Sequence, residues 1–185
     1  MNPAWRARGG WLVAVTALAW GFAEATLFFI VPDVFITWVA LRSRRRALVC
    51  CALVVAAAML GGALMYVWSL HDPAAQRAML LKVPAIDAGL IDRAHAELQR
   101  WGGFGLVLGG FSGVPYKLYA AQAAAAGLSP PVLLAWTVLA RGLRFVLVAL
   151  LANGVATWLR PRVGGRLVAG IWLLAWVTMY AFYWS

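Results

Sequence analysis

The chain has 185 residues, 64% hydrophobic and only 12% charged, with 16 Lys and Arg against 6 Asp and Glu for a formal net charge of +10. A soluble domain carries about a quarter charged residues, so a water-soluble globule is excluded and an all-α integral membrane protein, one membrane domain over residues 1–185, is expected. The apolar runs are continuous rather than alternating, which excludes a transmembrane barrel, and the arginines flank those runs as membrane anchors do, which argues against nucleic acid as a partner.

Residues 11–41 are apolar apart from Glu24 and Asp33. Arg6 and Arg8 precede them, and Ala23-Glu24-Ala25 superficially matches a signal-peptide cleavage site. The sequence stays apolar through TLFFIV, so the stretch reads as a retained membrane segment. Residues 42–46, RSRRR, are a basic block. Residues 47–70 carry no charge and form the clearest spanning helix. Residues 72–100 are polar and extramembrane or interfacial, with Pro73 and Pro84 as breakers. Within them IDRAHAELQRW predicts a short amphipathic helix suited to an interface. Residues 101–127 are apolar, rich in glycine and interrupted by Pro115. Ser129-Pro130-Pro131 opens a helix over 131–159, because proline suits a first helical turn. RPRVGGR separates it from a last uncharged span, 167–185, whose end YAFYWS matches an aromatic interface belt.

The two basic loops, 42–46 and 160–166, set the orientation. Both belong in the cytoplasm. Residues 72–100 and the C-terminus are then outside, and Arg6 and Arg8 keep the N-terminus in the cytoplasm. The stretch 11–41 therefore begins and ends inside, and 101–127 begins and ends outside. Neither is long enough for two crossings of about 20 residues each. Both are expected to be re-entrant, turning near Pro32 and Pro115. Non-helical backbone at that depth must be buried in protein or line a wet cavity. The expected fold is two re-entrant helical hairpins, about three spanning helices and the amphipathic helix, arranged as the inverted repeat that many transporters use.

Five charges lie inside apolar segments: Glu24, Asp33, Lys117, Arg141 and Arg144. Each costs roughly 2.5–3.5 kcal/mol at a helix centre, so each is a candidate functional residue. Arg141 and Arg144 are three apart and share a helix face. Glu24 and Asp33 are candidates for handling protons or pairing with the cations, since arginine does not deprotonate. Asp33 also reads as a plain turn residue after Pro32, and Lys117 as an anchor snorkelling to the outer interface. If the five converge, one positive charge is left over, and it would favour an anionic group such as a phosphate. Lys117, Arg141 and Arg144 are then the substrate-binding candidates. The adjacent Cys50 and Cys51 and the distant His71 and His95 match no disulfide framework or metal motif. With no nucleophile–base pair and no phosphate loop, no enzyme activity, metal or cofactor is expected.

The stretch GVPYKLYAAQAAAAG, followed by LARGLRF, resembles the second half of the bacterial DedA superfamily, the VTT or SNARE-associated-Golgi-protein-like group. It is most similar to the YqaA-like branch, in which a proline–aromatic–lysine stretch precedes a small-residue helix and an Arg-Gly-x-Arg-Phe motif. GFAEATLFFIVPDVF resembles the first-half motif of an acid followed by a proline-containing turn, and the likeness covers roughly residues 20–150. The resemblance implies two facing re-entrant loops in a bacterial inner-membrane protein. It also implies translocation or scrambling of undecaprenyl phosphate or a phospholipid, often coupled to protons. Glu24 matches the first acid of the motif and Asp33 the second, while Arg141 and Arg144 belong to the YqaA-like pattern. DedA loops typically carry arginines on both sides of the proline; here Ser112 and Leu118 stand near those places, and Lys117 is the cation. The implied partners are membrane lipids with an anionic phospho-lipid headgroup, and the oligomeric state is open. A proton- or cation-coupled small-solute transporter and a non-transporting envelope-assembly protein are the competing readings.

Overall fold

The computed structural model describes residues 3–184, with side chains described from residue 10 to residue 182. Arg6, Arg8 and the last three residues of YAFYWS, assigned above to anchoring and to an aromatic belt, lie outside the described side chains. Most of the described residues are helical, and none of them is in a strand. In chain order the helices are α1 (Pro3–Thr26), α2 (Asp33–Ala40), α3 (Arg44–His71), α4 (Pro73–Leu80), α5 (Ala88–Trp101), α6 (Gly105–Ser112), α7 (Tyr116–Gln122) and α8 (Pro130–Trp184). A short 3-10 turn, Gly102–Phe104, joins α5 to α6.

Helices α3 and α8 are long and apolar enough to cross a membrane. Their outward faces carry exposed Leu60, Leu64, Leu139, Leu143 and Leu151, far more apolar surface than a soluble monomer presents. Local signals explain the boundaries. Ser43 caps α3 by accepting from Arg46 N, and Asp72 and Asp87 cap α4 and α5 in the same way. Pro73 occupies the first turn of α4. Pro32 and Pro115 stand immediately before α2 and α7.

Packing fixes the direction of each helix. A side chain at Gly21 would meet the backbone of Val54, and one at Gly61 would meet Ala25. Helices α1 and α3 therefore run parallel and touch through glycine, as small residues allow. Helix α8 runs against α3: Leu133 shares a cluster with Met65, Phe145 shares one with Cys50, and Asn153 Nδ2 donates to Ala40 O. Helix α2 follows the direction of α8, with Asp33 beside Arg144 and Ala40 beside Asn153. It thus heads back toward the end of the bundle where α1 began. Helix α6 also follows α8, with Gly103 against Trp136 and Gly110 near Arg144. Helix α7 then returns along α6, its Tyr119 ring filling the space over Gly109.

Two features differ from the sequence-based expectation. RPRVGGR is not a loop, because α8 continues through Pro161 and reverses at the single residue Gly164, whose φ of 79° suits glycine. The second leg of α8 then lies back along α2, with Trp172 at Thr37 and Tyr180 at Val31. Finally, the apolar face of α5 is not left for an interface. Ile91, Ala94 and Leu98 are buried in the cluster that also holds Leu106, Tyr119 and Ala120.

The α1–α3 contact should be intolerant of a methyl group. Gly21→Ala would place a Cβ 2.7 Å from Val54 O, which no rotamer relieves. We expect it to lower unfolding stability by about 1–3 kcal/mol. Gly154→Ala, which meets nothing within 4 Å, should be neutral or stabilising by up to about 1 kcal/mol. Thermal unfolding of the two purified variants checks the contrast.

Candidate functional site

The site is built around the break between α1 and α2, residues 27–32. Here the helical hydrogen-bond ladder stops, and side chains from elsewhere take over. Trp20 Nε1 donates to Ile30 O at 2.9 Å, Lys117 Nζ donates to Phe28 O at 2.8 Å, and Val31 N donates to Tyr180 Oη at 3.0 Å. Lys117 comes from the first turn of α7, immediately after the second break at Gly113–Pro115. It thus ties one broken stretch directly to the other. Gly113 ends α6 in the left-handed region, φ 84°, and Pro115 starts α7 from extended backbone.

Two ion pairs bracket the same break. Arg141 Nη2 donates to Glu24 Oε2, with both side chains buried. Arg144 binds Asp33 through two contacts, Nη2 to Oδ2 at 2.9 Å and Nε to Oδ1 at 3.3 Å. Glu24 stands in the last turn of α1, where the helix dipole disfavours an anion. Asp33 opens α2, where the dipole favours one. One turn of α8 therefore clamps the chain on both sides of the break, while Lys117 reaches its middle.

Arg141 is further enclosed by aromatic rings. Its guanidinium lies 4.6 Å from the Tyr116 ring centroid and 4.9 Å from that of Phe145. Tyr116 is held in turn by Thr137, Oη to Oγ1 at 2.8 Å. The Nε of Arg141 is buried with no hydrogen-bond partner among the described residues.

All five sequence-derived candidates are thus brought together. Glu24, Lys117, Arg141 and Arg144 line one cavity of about 200 Å³, while Asp33 sits behind Arg144. The side walls are mostly apolar, from Phe29, Val83, Ile86, Leu106, Trp176 and Met179. Lys117 is 2% exposed and so does not reach an interface, and Asp33, also 2% exposed, is no open turn residue. Each carboxylate has an arginine. Lys117 faces a carbonyl instead, so the cluster keeps one formal positive charge uncompensated.

Several contributors were not singled out from the sequence. Thr37 donates to Asp33 O at 2.6 Å and accepts from both Trp172 Nε1 and Trp176 Nε1, at 2.9 and 3.2 Å. The threonine lay in a run read only as apolar, although the spacing of Trp172, Trp176 and Tyr180 marks one helix face. Tyr116 was read as the aromatic of a motif and not as a wall for arginine. No group of His, Cys, Asp or Glu suited to a metal occurs among the described residues.

A buried ion pair is costly to break one partner at a time. Arg141→Gln alone should lower unfolding stability by about 3–5 kcal/mol, because Glu24 is left charged and buried. The Glu24→Gln/Arg141→Gln double variant should be more stable than the sum of the single losses. A double-mutant cycle on chemical unfolding measures this, and additive losses would mean that the two residues do not interact.

No protein-family model, curated protein or solved structure matches the chain.

Proposed function

We propose that this chain is a DedA-like membrane transporter that moves a lipid with a phosphate-bearing headgroup across the bilayer, as a flippase or scramblase. The observation that carries the reading is Lys117, a buried cation that forms no ion pair of its own and bonds a carbonyl, in a cavity where Lys117, Arg141 and Arg144 outnumber the single carboxylate of Glu24. Such a site favours an anion, and the apolar walls beside it favour an acyl or prenyl chain. In this reading 11–41 and 101–127 are re-entrant hairpins of an inverted repeat in the bacterial inner membrane. The opposed directions of α1 and α6 and the Lys117–Phe28 contact support that topology. A broken-helix site near the midplane is common in transporters of this architecture. Lys117, Arg141 and Arg144 engage the headgroup. Glu24 and Asp33 hold the arginines and exchange protons as the ligand displaces them.

One observation favours a different reading, that of a non-transporting protein whose charges serve structure alone: both arginines are already engaged by carboxylates. Reconstitution into liposomes with a fluorescent phospholipid or prenyl phosphate separates the two. The wild-type chain should flip the label. Lys117→Met should slow flipping at least about tenfold, the effect of losing a charge-assisted contact of about 1.5–3 kcal/mol. Full flipping by both Arg141→Ala and Arg144→Ala would contradict the site assignment. An ion signal that depends on pH, without flipping, would instead support a coupled small-solute transporter.

A further inference from the structure

A second cavity, of about 290 Å³, shares no lining residue with the first and lies between α1 and the N-terminal part of α3. Gly10, Val13 and Ala14 form one wall, and Val49, Cys50 and Leu53 the other. Arg45 and Arg46 stand at its rim, both exposed.

Charge accounting decides what this groove suits. The chain has six acidic residues, and each has a place elsewhere. Glu24 and Asp33 hold Arg141 and Arg144. Asp72 and Asp87 cap helices by accepting from Ala75 N and Leu90 N. Asp92 pairs with Arg77, and Glu97 pairs with Arg93 and accepts from Tyr119. No Asp or Glu remains for the basic end of the bundle. Of the other arginines there, Arg42 lies over Trp38, Arg160 donates to Leu41 O and Arg162 donates to Trp158 O, while Arg44 and Arg166 do not line this groove. Arg45 and Arg46, exposed and with no acidic partner among the described residues, are open to an anion from outside the chain.

We infer that this groove binds one anionic phospholipid, its phosphate between Arg45 and Arg46 and an acyl chain between α1 and α3. Basic pockets between membrane helices bind such headgroups, and each surface arginine strengthens binding to anionic lipid. The inference rests on the membrane reading but not on the transport site, because the two cavities share no residue.

The test is native mass spectrometry of the full chain released from detergent containing equal phosphatidylglycerol and phosphatidylcholine. One retained phosphatidylglycerol per chain is expected. Arg45→Gln/Arg46→Gln should weaken retention roughly thirtyfold, about fivefold for each arginine. Val49→Trp, which fills the groove from an exposed position and leaves the charges in place, should also abolish it. Arg162→Gln/Arg166→Gln, on the same basic end, should retain the lipid. Equal loss in that control pair would mean diffuse surface attraction and overturn the site. So would retention by Val49→Trp, equal retention of phosphatidylcholine, or complete displacement by inorganic phosphate, which would indicate a simple anion site.

Discussion

Six residues between α1 and α2, outside any helix and most of them only partly buried, set the terms for the rest of this molecule. A backbone N–H or C=O left unpaired away from water costs several kcal/mol, and a break between two helices exposes several such groups at once. The break at 27–32 is met by side chains from three separate places: Trp20 from α1, Lys117 from α7 and Tyr180 from the end of α8. The long return of α8 and the second broken stretch therefore have a physical task. Without them the first break would have no partners for Phe28 O and Val31 N.

The charges follow from the same constraint. Lys117 bonds a carbonyl, while Glu24 and Asp33 are paired directly with Arg141 and Arg144. Desolvating two ion pairs offsets much of their attraction, so stability alone is a poor reason to keep them. Their value lies in geometry. The two arginines stand three positions apart on α8, which fixes the spacing of α1 and α2 on either side of the break. The uncompensated lysine and the partly open Arg144 then face the cavity. This division, with paired charges holding the backbone and one spare charge for a ligand, links the fold to the proposed transport of a phosphate-bearing lipid.

Much of this was legible in the sequence because charges in apolar runs are few and hard to mistake. Hydropathy located α3 and the first leg of α8, prolines located both breaks, and the five charges set within apolar runs are those that meet. The partners of these groups were not legible. A backbone carbonyl such as Phe28 O carries no sequence signal, and neither does its acceptance from Lys117, 89 positions away. Thr37 looked like one more helix residue, although it collects two tryptophans. Sequence also misplaced the covering of α5. Its amphipathic pattern fits an interface as well as a protein groove, and only the position of α6 and α7 decides between them. The reversal at Gly164 within RPRVGGR was hidden because a positive-φ glycine can close a helical hairpin with almost no loop.

In the proposed topology two broken stretches start from opposite faces of a membrane and meet inside it. Labelling of single cysteines by a membrane-impermeant thiol reagent tests it most directly, in a background with the buried Cys50 and Cys51 replaced by alanine. Cysteines at Gly10 and Arg44 flank the first stretch, and cysteines at Trp101 and Ser129 flank the second. Cysteines at Gly10 and Arg44 should label from one side, and those at Trp101 and Ser129 from the other. Labelling of Gly10 and Arg44 from opposite sides would make 11–41 a crossing segment and contradict it.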